Sequence, residues 1–520
     1  MVLQLRDTLS RSVRPVEPLD PGLVRMYTCG PTVYRYAHVG NLRTFLLADL
    51  IRRALLYHGV AVRQVQNITD VGHLREDAGG REVDPMLVAA GLEGRTSREI
   101  ADAYEAAFHA DCALVNILPA HEYPRATEHV AEMLALAERL VELGRAYVTD
   151  AGNVYYAVSS YPAYGQLSGN SLEALRAGHR SDVEPDKRDP ADFALWKAAG
   201  PARELRWPSR WGEGFPGWHL ECSAMALRHL GPRFDIHTGG EDNVFPHHED
   251  EIAQSAPLVG GPPATLWVHG AHLLMSGRKM AKSAGNFQRI TELAEQGVEP
   301  LAFRYLCLTA RYGRKLDYSD ASLAGAARGL ASLRDGLRRL GPPPASGPWA
   351  APRPLIAGAA PDRPVGLAAG LAGHGEGAGQ VGPASLGDRA ATPAAPLSAA
   401  GRRAHDAFLT AIDDDLDLPV ALRVVRETLV ADDLPADERR WLVLDADAVL
   451  GLDLHRAWEA PPAESVGLPA GAAELLAERT RARAARDFET ADRLRDELQA
   501  LGVEPLDRAD GSSDWRPTDG

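Results

Sequence analysis

The sequence predicts an α/β fold: an open parallel sheet, interrupted by an inserted subdomain and followed by a helical tail. Three observations predict it. Val24 to Thr28 is a short apolar run, Leu42 to His58 carries apolar residues at helical spacing (Leu42, Phe45, Leu46, Leu50, Leu55) before Gly59, and Val60, Val62 and Val65 then alternate. A strand, a crossover helix and a strand within about 45 residues make a βαβ unit, and such sheets gather ligands at the carboxyl ends of their strands. The rhythm then changes twice. Residues 111–215 hold a helical run, a Tyr-rich strand (Asn153 to Val158) and a Trp-rich loop (Trp196, Trp207, Trp211), read as an insertion between two halves of the sheet. From Arg402 onward the periodicity is helical.

Taken in order, residues 1–110 make the first half of the sheet, 111–215 the connective insertion and 216–290 the second half. The second half ends in a strand (Leu266 to His269) and a polar loop through Lys279 to Ser283. Residues 291–340 read as helices. In 341–400, 39 of 60 residues are Gly, Pro or Ala, too few large apolar groups for a core, so this is a linker. Residues 401–520 read as helices from Arg402 to Leu454 and from Ala472 to Leu501. The second stretch carries Arg479, Arg481, Arg483, Arg486, Arg493 and Arg495 among Glu478, Asp487, Glu489 and Asp492, which fits either a solvated face or a phosphate grip.

Composition excludes several function classes. With 520 residues, 45% hydrophobic and 24% charged, the chain has globular proportions. It has no run of about 18 uncharged apolar residues and no secretory start, so a cytoplasmic protein without a membrane partner is expected. A net charge of −15 argues against indiscriminate nucleic-acid binding but leaves room for a local basic surface. The four cysteines (Cys29, Cys112, Cys222, Cys307) are too scattered for a disulfide framework and read as thiols or metal ligands.

Two composition anomalies locate the chemistry. Only five of 56 basic residues are Lys, and two of the five, Lys279 and Lys282, share one pentapeptide. Seven of 17 His fall between His219 and His272, the stretch that also holds Cys222 and a dense set of acids. Two constellations follow. Cys29 ends the first strand, and His247 and Glu251 lie four apart after Pro246, which opens a plausible helix, so their side chains share a face. With Cys222 they offer thiolate, imidazole and carboxylate, a set that zinc accepts. Cys112 and Cys307 sit on apolar helix faces and read as small buried hydrophobes. The second constellation joins Gly30-Pro31-Thr32 and His38-Val39-Gly40-Asn41, at the start of the crossover helix, to Lys279-Met280-Ala281-Lys282-Ser283. A helix N-terminus, a glycine and a histidine suit phosphate, and two mobile ammonium groups on a Gly-flanked loop suit a phosphate whose charge moves.

These two signatures resemble the His-Ile-Gly-His and Lys-Met-Ser-Lys-Ser motifs of class I aminoacyl-tRNA synthetases. The segments Tyr27-Thr28-Cys29-Gly30-Pro31-Thr32-Val33-Tyr34, Asn67-Ile68-Thr69-Asp70, Gly217-Trp218-His219-Leu220-Glu221-Cys222-Ser223-Ala224-Met225 and Phe245-Pro246-His247-His248-Glu249-Asp250-Glu251 resemble the cysteinyl-tRNA synthetase family in particular. The resemblance implies a Rossmann-type catalytic core and a C-terminal all-helical region that binds tRNA at the anticodon. It implies that L-cysteine and ATP form cysteinyl-adenylate and that the cysteinyl group passes to tRNA(Cys). One Zn2+ on Cys29, Cys222, His247 and Glu251 would take the substrate thiolate, and Mg2+ would accompany ATP.

By the same resemblance Gly30, Thr69, Trp218 and His237 line the cysteine pocket. Pro31, Thr32, His38, Gly40, Asn41, Gly239, Gly240, Asp242 and Lys282 meet ATP, with His38, Asn41, Lys279 and Lys282 as the catalytic set. Asn41 stands where the family has a second histidine and Ala281 where it has serine, which alters rates and keeps activity. A monomer is expected. Two rival readings remain at this stage: a cysteine:small-amine ligase of the mycothiol type, which resembles only the catalytic part, and a non-catalytic tRNA-binding paralogue.

Overall fold

The structure, a computed structural model, describes residues 3–73, 75–76, 82–173, 186–200, 203–275, 277–279, 287–352, 355, 389–459, 471–485, 487–507 and 513–517. The chain divides into two compact units, Met1–Leu454 and His455–Gly520. Among the described residues no helix is long and apolar enough to cross a membrane.

The first unit is organised by a four-stranded parallel sheet. Its strands are β1 (Leu23–Thr28), β2 (Ala61–Gln66), β3 (Phe234–Gly240) and β4 (Ala264–Gly270), in the spatial order β4-β3-β1-β2. Helix α1 (Val39–Tyr57) makes the crossover from β1 to β2, so the expected βαβ unit is present. Nearly every residue of α1 is buried, because it packs on the sheet with one face and on later helices with the other. The strand order reverses between β1 and β3, and a reversal of this kind opens a crevice at the carboxyl ends. Helices α2 (Trp218–Leu230) and α3 (Glu249–Val259) flank that crevice.

Between the two halves lies the insertion, and here the Trp-rich loop is corrected. It folds as strands of a five-stranded antiparallel sheet, in the order 207–209, 212–216, 193–198, 154–156, 146–148. Trp196 and Trp207 lie on strands, and only Trp211 sits in the tight turn before Gly212. Aromatic side chains favour a pleated, half-buried surface, and Trp196 is fully buried there. The Tyr-rich strand spans Val154–Tyr156.

The helices after residue 290 close the core around one ion network. Asp49 of α1 accepts from Arg53 at 2.9 Å, from Arg304 at 2.7 Å and from the Leu118 amide at 2.9 Å. Arg304 is fully buried on the helix Pro300–Leu308 and also donates to the carbonyls of Leu450, Val115 and Asn116. Burial opposes the Asp49 charge, but the two guanidinium groups and the amide outweigh it and hold its carboxyl below the usual range. Arg304→Met is expected to cost about 3–5 kcal/mol, because it strips a partner from a buried carboxylate and takes the guanidinium donor from the Leu450 and Val115 carbonyls, while Arg53 still meets that of Asn116. Urea unfolding of the variant checks this, and a loss below about 1 kcal/mol would contradict it.

The helices expected from Arg402 to Leu454 are three, Ala399–Asp413, Leu418–Val430 and Ala436–Leu450, all in the first unit. The breaks have local causes: Asp415 and Leu416 take positive φ, and Pro419 and Pro435 each restart a helix. Most of 341–400 lies outside the described residues. Of its flanks, Trp349 packs against the small core of Ala395, Leu397, Leu434, Trp441 and Leu442.

The second unit holds the helices Ala472–Ala484 and Phe488–Ala500 over a core of Ala472, Leu476, Leu498 and Val503. It is not wholly helical. Val503–Asp507 pairs antiparallel with Ser513–Pro517, a hairpin whose short strands carry no period long enough to read from sequence. Arg481, Arg493 and Arg495 are exposed, Arg479 is buried, and Arg486 lies outside the described residues.

Candidate active site and metal centre

Cys29 follows the last residue of β1, and its amide donates to Thr238 on β3 at 3.1 Å, so the thiol is fixed at the point where the strand order reverses. Cys222 comes from the second turn of α2. His247 and Glu251 come from the segment that leads into α3. Pro246 does not open a regular helix as expected: Phe245 is extended (φ −142°, ψ 133°), a looser turn spans Val244–His248, and α3 begins at Glu249. The turn still preserves the i,i+4 juxtaposition, with His247 Nε2 3.1 Å from Glu251 Oε1.

The four groups converge. Their ligating atoms all lie within 4.8 Å of one another, with His247 Nε2 3.4 Å from Cys222 Sγ and Cys29 Sγ 3.9 Å from Glu251 Oε1. The residues are 8%, 2%, 2% and 2% exposed in chain order, so bulk water does not solvate them. Burial, then Cys222 and Glu251, push the Cys29 thiol well up. For Cys222 the hydrogen bond with Cys29 pulls down, but burial and the Glu251 charge outweigh it and the thiol is raised. Burial and the neighbouring His219, His237 and His73 hold His247 well below the usual histidine range, leaving a neutral imidazole with a lone pair. A buried carboxylate beside neutral imidazoles and two thiols that titrate high is a donor set waiting for a cation. A borderline-soft divalent ion fits it, since that ion would draw off the thiol protons and balance the carboxylate.

Around this cluster lie the residues expected to hold the amino acid. His237, fully buried on β3, reaches Glu251 Oε2 at 2.9 Å and stacks on Trp267. Trp218, at the start of α2, is half-buried with its ring 4.6 Å from that of His247. Gly30 donates its amide to Asn67 Oδ1 at 2.8 Å, and a Cβ there would lie 1.6 Å from the Asn67 carbonyl oxygen, so only glycine allows this approach. Thr69 exchanges backbone bonds with Pro31 and Val33 and pairs with Thr32, which binds the loop after β1 to the loop after β2.

The residues expected to meet ATP lie around the same end of the sheet. His38 is the N-cap of α1: its Nδ1 accepts from the Asn41 amide at 3.1 Å, and Asn41 Oδ1 accepts from the His38 amide at 3.1 Å. With Nδ1 accepting, the neutral ring carries its proton on Nε2. Asn41 therefore acts as the reciprocal half of a capping box, a use the sequence motif does not reveal. Gly40 lies in the first turn of α1. Gly239 and Gly240 end β3, Gly240 donates to Asn243 Oδ1 at 2.9 Å, and Asp242 is exposed just beyond.

Lys279 pairs in backbone register with Leu274, whereas Met280, Ala281, Lys282 and Ser283 lie outside the described residues. The chain resumes at Phe287, whose ring is 5.4 Å from that of His38, and the Val39 amide donates to the Gln288 carbonyl at 3.0 Å. Phe287 and Gln288 thus lie at the start of α1.

Sequence reasoning assigned no role to several groups that the structure brings here. His248 Nε2 lies 3.1 Å from Cys29 Sγ, His219 pairs with Asp250 at 2.6 Å, and His73 pairs with Glu221 at 2.6 Å. The crowding of histidines between His219 and His272 was the signal available for the first two.

Comparison with known proteins gives the family. Residues 15–328 match the family described as tRNA synthetases class I (C) catalytic domain, and residues 465–516 match the cysteinyl-tRNA ligase anticodon binding domain. The chain is 40% identical over 529 residues to a cysteine–tRNA ligase of Thermus thermophilus, covering 99% of each. It is 40% identical to that of Alkalilimnicola ehrlichii, covering 99% of this chain and all of the relative. Among solved structures, methionyl-tRNA synthetase from Mycobacterium tuberculosis in complex with methionyl-adenylate superposes with a TM-score of 0.51 at 16% identity, over 84% of this chain and 91% of the other, a likeness of fold. With the parallel sheet, the converging donors and matches that run the length of the chain, the protein belongs to the cysteinyl-tRNA ligase family of class I aminoacyl-tRNA synthetases.

Proposed function

We propose that this cysteine–tRNA ligase selects its amino acid with a zinc ion on Cys29, Cys222, His247 and Glu251. The observation that carries the reading is the buried convergence of two thiols, an imidazole and a carboxylate where the strand order of the sheet reverses. Zinc, when bound, supplies a soft Lewis acid that takes thiolate far better than hydroxyl, which a pocket cannot do by size alone. Gly30, Thr69, Trp218 and His237 confine the substrate around that point. The cysteine carboxylate then attacks the α-phosphorus of ATP, cysteinyl-adenylate forms and pyrophosphate leaves. His38 donates from Nε2 to phosphate oxygens, and Lys279 and Lys282 follow the charge as it moves onto pyrophosphate. Pro31, Thr32, Gly40, Asn41, Gly239, Gly240 and Asp242 hold the nucleotide, with Mg2+ on its phosphates. The terminal ribose of tRNA(Cys) finally takes the cysteinyl group and AMP departs.

Metal content, measured alongside ATP–pyrophosphate exchange, tests the selection. About one zinc per chain is expected, with exchange driven by cysteine and at least a thousandfold or so weaker with serine. Metal-free protein with unchanged preference would remove the metal from the account.

The tail gives a second test. Ending the chain at Glu459 removes the anticodon-domain match and leaves every site residue. Exchange is expected to stay within about twofold while charging of tRNA(Cys) falls by roughly a hundredfold or more, since the distant part of the substrate is no longer held. Charging by the full chain should also weaken steeply with added salt, as phosphate contacts do. Undiminished charging by the shortened chain would refute the role given to the tail.

A further inference from the structure

The pocket holds more donors than one metal ion needs. Cys29, His237, His248 and Glu251 form a second group of four, all buried, whose ligating atoms also lie within 4.8 Å of one another. It shares Cys29 and Glu251 with the first group and replaces Cys222 and His247 by two imidazoles. His248 is the better prepared of the two adjacent histidines. Its Nδ1 lies 2.8 Å from His269 Nε2, and His269 Nδ1 lies 2.7 Å from Thr8 Oγ1. Protons running outward along that chain, from His248 Nδ1 to His269 and from His269 Nδ1 to Thr8, leave the His248 Nε2 lone pair facing Cys29 Sγ at 3.1 Å. Support of this kind behind an imidazole is what orients a metal ligand. His247, in the first group, has no hydrogen-bond partner on Nδ1 among the described residues. His237 has no partner on Nδ1 among the described residues and sets its Nε2 2.9 Å from Glu251 Oε2, so it would turn from that contact to the ion with its proton moved to Nδ1. Glycine at 239 is needed for the arrangement, because a Cβ there would lie 2.7 Å from His248 Cε1.

We propose that His248, with His237, Cys29 and Glu251, forms a second donor set for the same zinc ion, overlapping the set of Cys29, Cys222, His247 and Glu251. The inference rests on the reading of this pocket as a metal centre. Its chemical use is ligand exchange. Four protein donors ordinarily close a zinc site, whereas an incoming thiolate needs an open position. A donor in reserve lets the Cys222 or His247 position open to substrate without leaving the ion short of ligands.

Cobalt(II), added to zinc-stripped full-length protein, reports both stoichiometry and the number of thiolates through its charge-transfer absorption. The wild type is expected to bind about one equivalent with two thiolates, not two equivalents, because the sets share donors. Cys222→Ala should still bind about one equivalent, some 10–100-fold more weakly, with the charge-transfer intensity roughly halved. The double variant Cys222→Ala/His248→Ala should lose a further 10–100-fold or bind nothing. His247→Ala vacates the same side of the pocket and serves if Cys222→Ala does not fold by circular dichroism; it should keep one equivalent and both thiolates. If these single variants fold and bind no cobalt while the wild type does, or if binding by Cys222→Ala is indifferent to His248, the second set is refuted. A wild type that binds no cobalt overturns the metal centre itself, a distinguishable outcome.

Discussion

Cys29→Ala is expected to empty the metal centre, taking zinc from about one equivalent to near none, and to slow cysteine-dependent pyrophosphate exchange by roughly a thousandfold or more. The size of the effect follows from position. Cys29 belongs to both donor groups, so its loss cannot be covered by His248 as the loss of Cys222 could. Without Cys29 each group keeps only three donors, Cys222, His247 and Glu251 in one and His237, His248 and Glu251 in the other, so neither can close a four-donor site around the ion. Without the ion nothing in the pocket favours a thiol over a hydroxyl, so the residual activity should also accept serine more readily. Elemental analysis of the variant with parallel exchange assays checks both statements. Full zinc occupancy, or selectivity kept in the absence of zinc, would show that Cys29 is only a packed thiol at the end of a strand.

Lys282→Ala carries the second large effect and touches a different part of the reaction. Adenylate formation should slow by about a hundredfold or more, the scale of removing one partner from developing transition-state charge, while zinc content stays at the wild-type level. The backbone on either side gives the reason. The described chain stops at the strand Arg278–Lys279 and resumes where Phe287 meets His38 and Gln288 accepts from the Val39 amide, so the residue that follows the loop lies at the helix start that holds His38. Single-turnover rates separate this from a binding effect: kcat should fall far more than the KM for ATP rises. An unchanged rate would sink the role given to the loop.

The βαβ unit was legible because Leu42 to Leu55 carries a helical period between two apolar runs, and α1 with its strands lies where that pattern put it. The proposed metal donors were legible in part. His247 and Glu251 announce themselves by four-residue spacing, but Cys29 and Cys222 meet them only because β3 pairs with β1, a pairing between residues some 210 apart that no local pattern encodes. Family motifs supplied that link.

What stayed hidden has the same cause. The His248–His269–Thr8 chain joins a turn, the end of a strand and the segment before β1, and only the finished sheet brings them together. Trp196 and Trp207 read as loop residues because aromatic side chains set no alternation over segments of three to six residues. The hairpin after Gly502 is equally short.

The central claim is that this chain places cysteine on tRNA, and attachment itself is the direct measurement. Full-length protein incubated with ATP, radiolabelled L-cysteine and tRNA(Cys) should give acid-precipitable cysteinyl-tRNA, accumulating to near one cysteine per tRNA, with none on a tRNA of another specificity. Brisk cysteine-dependent exchange with no acylation of any tRNA would contradict it and would favour a ligase that passes the same adenylate to a small amine.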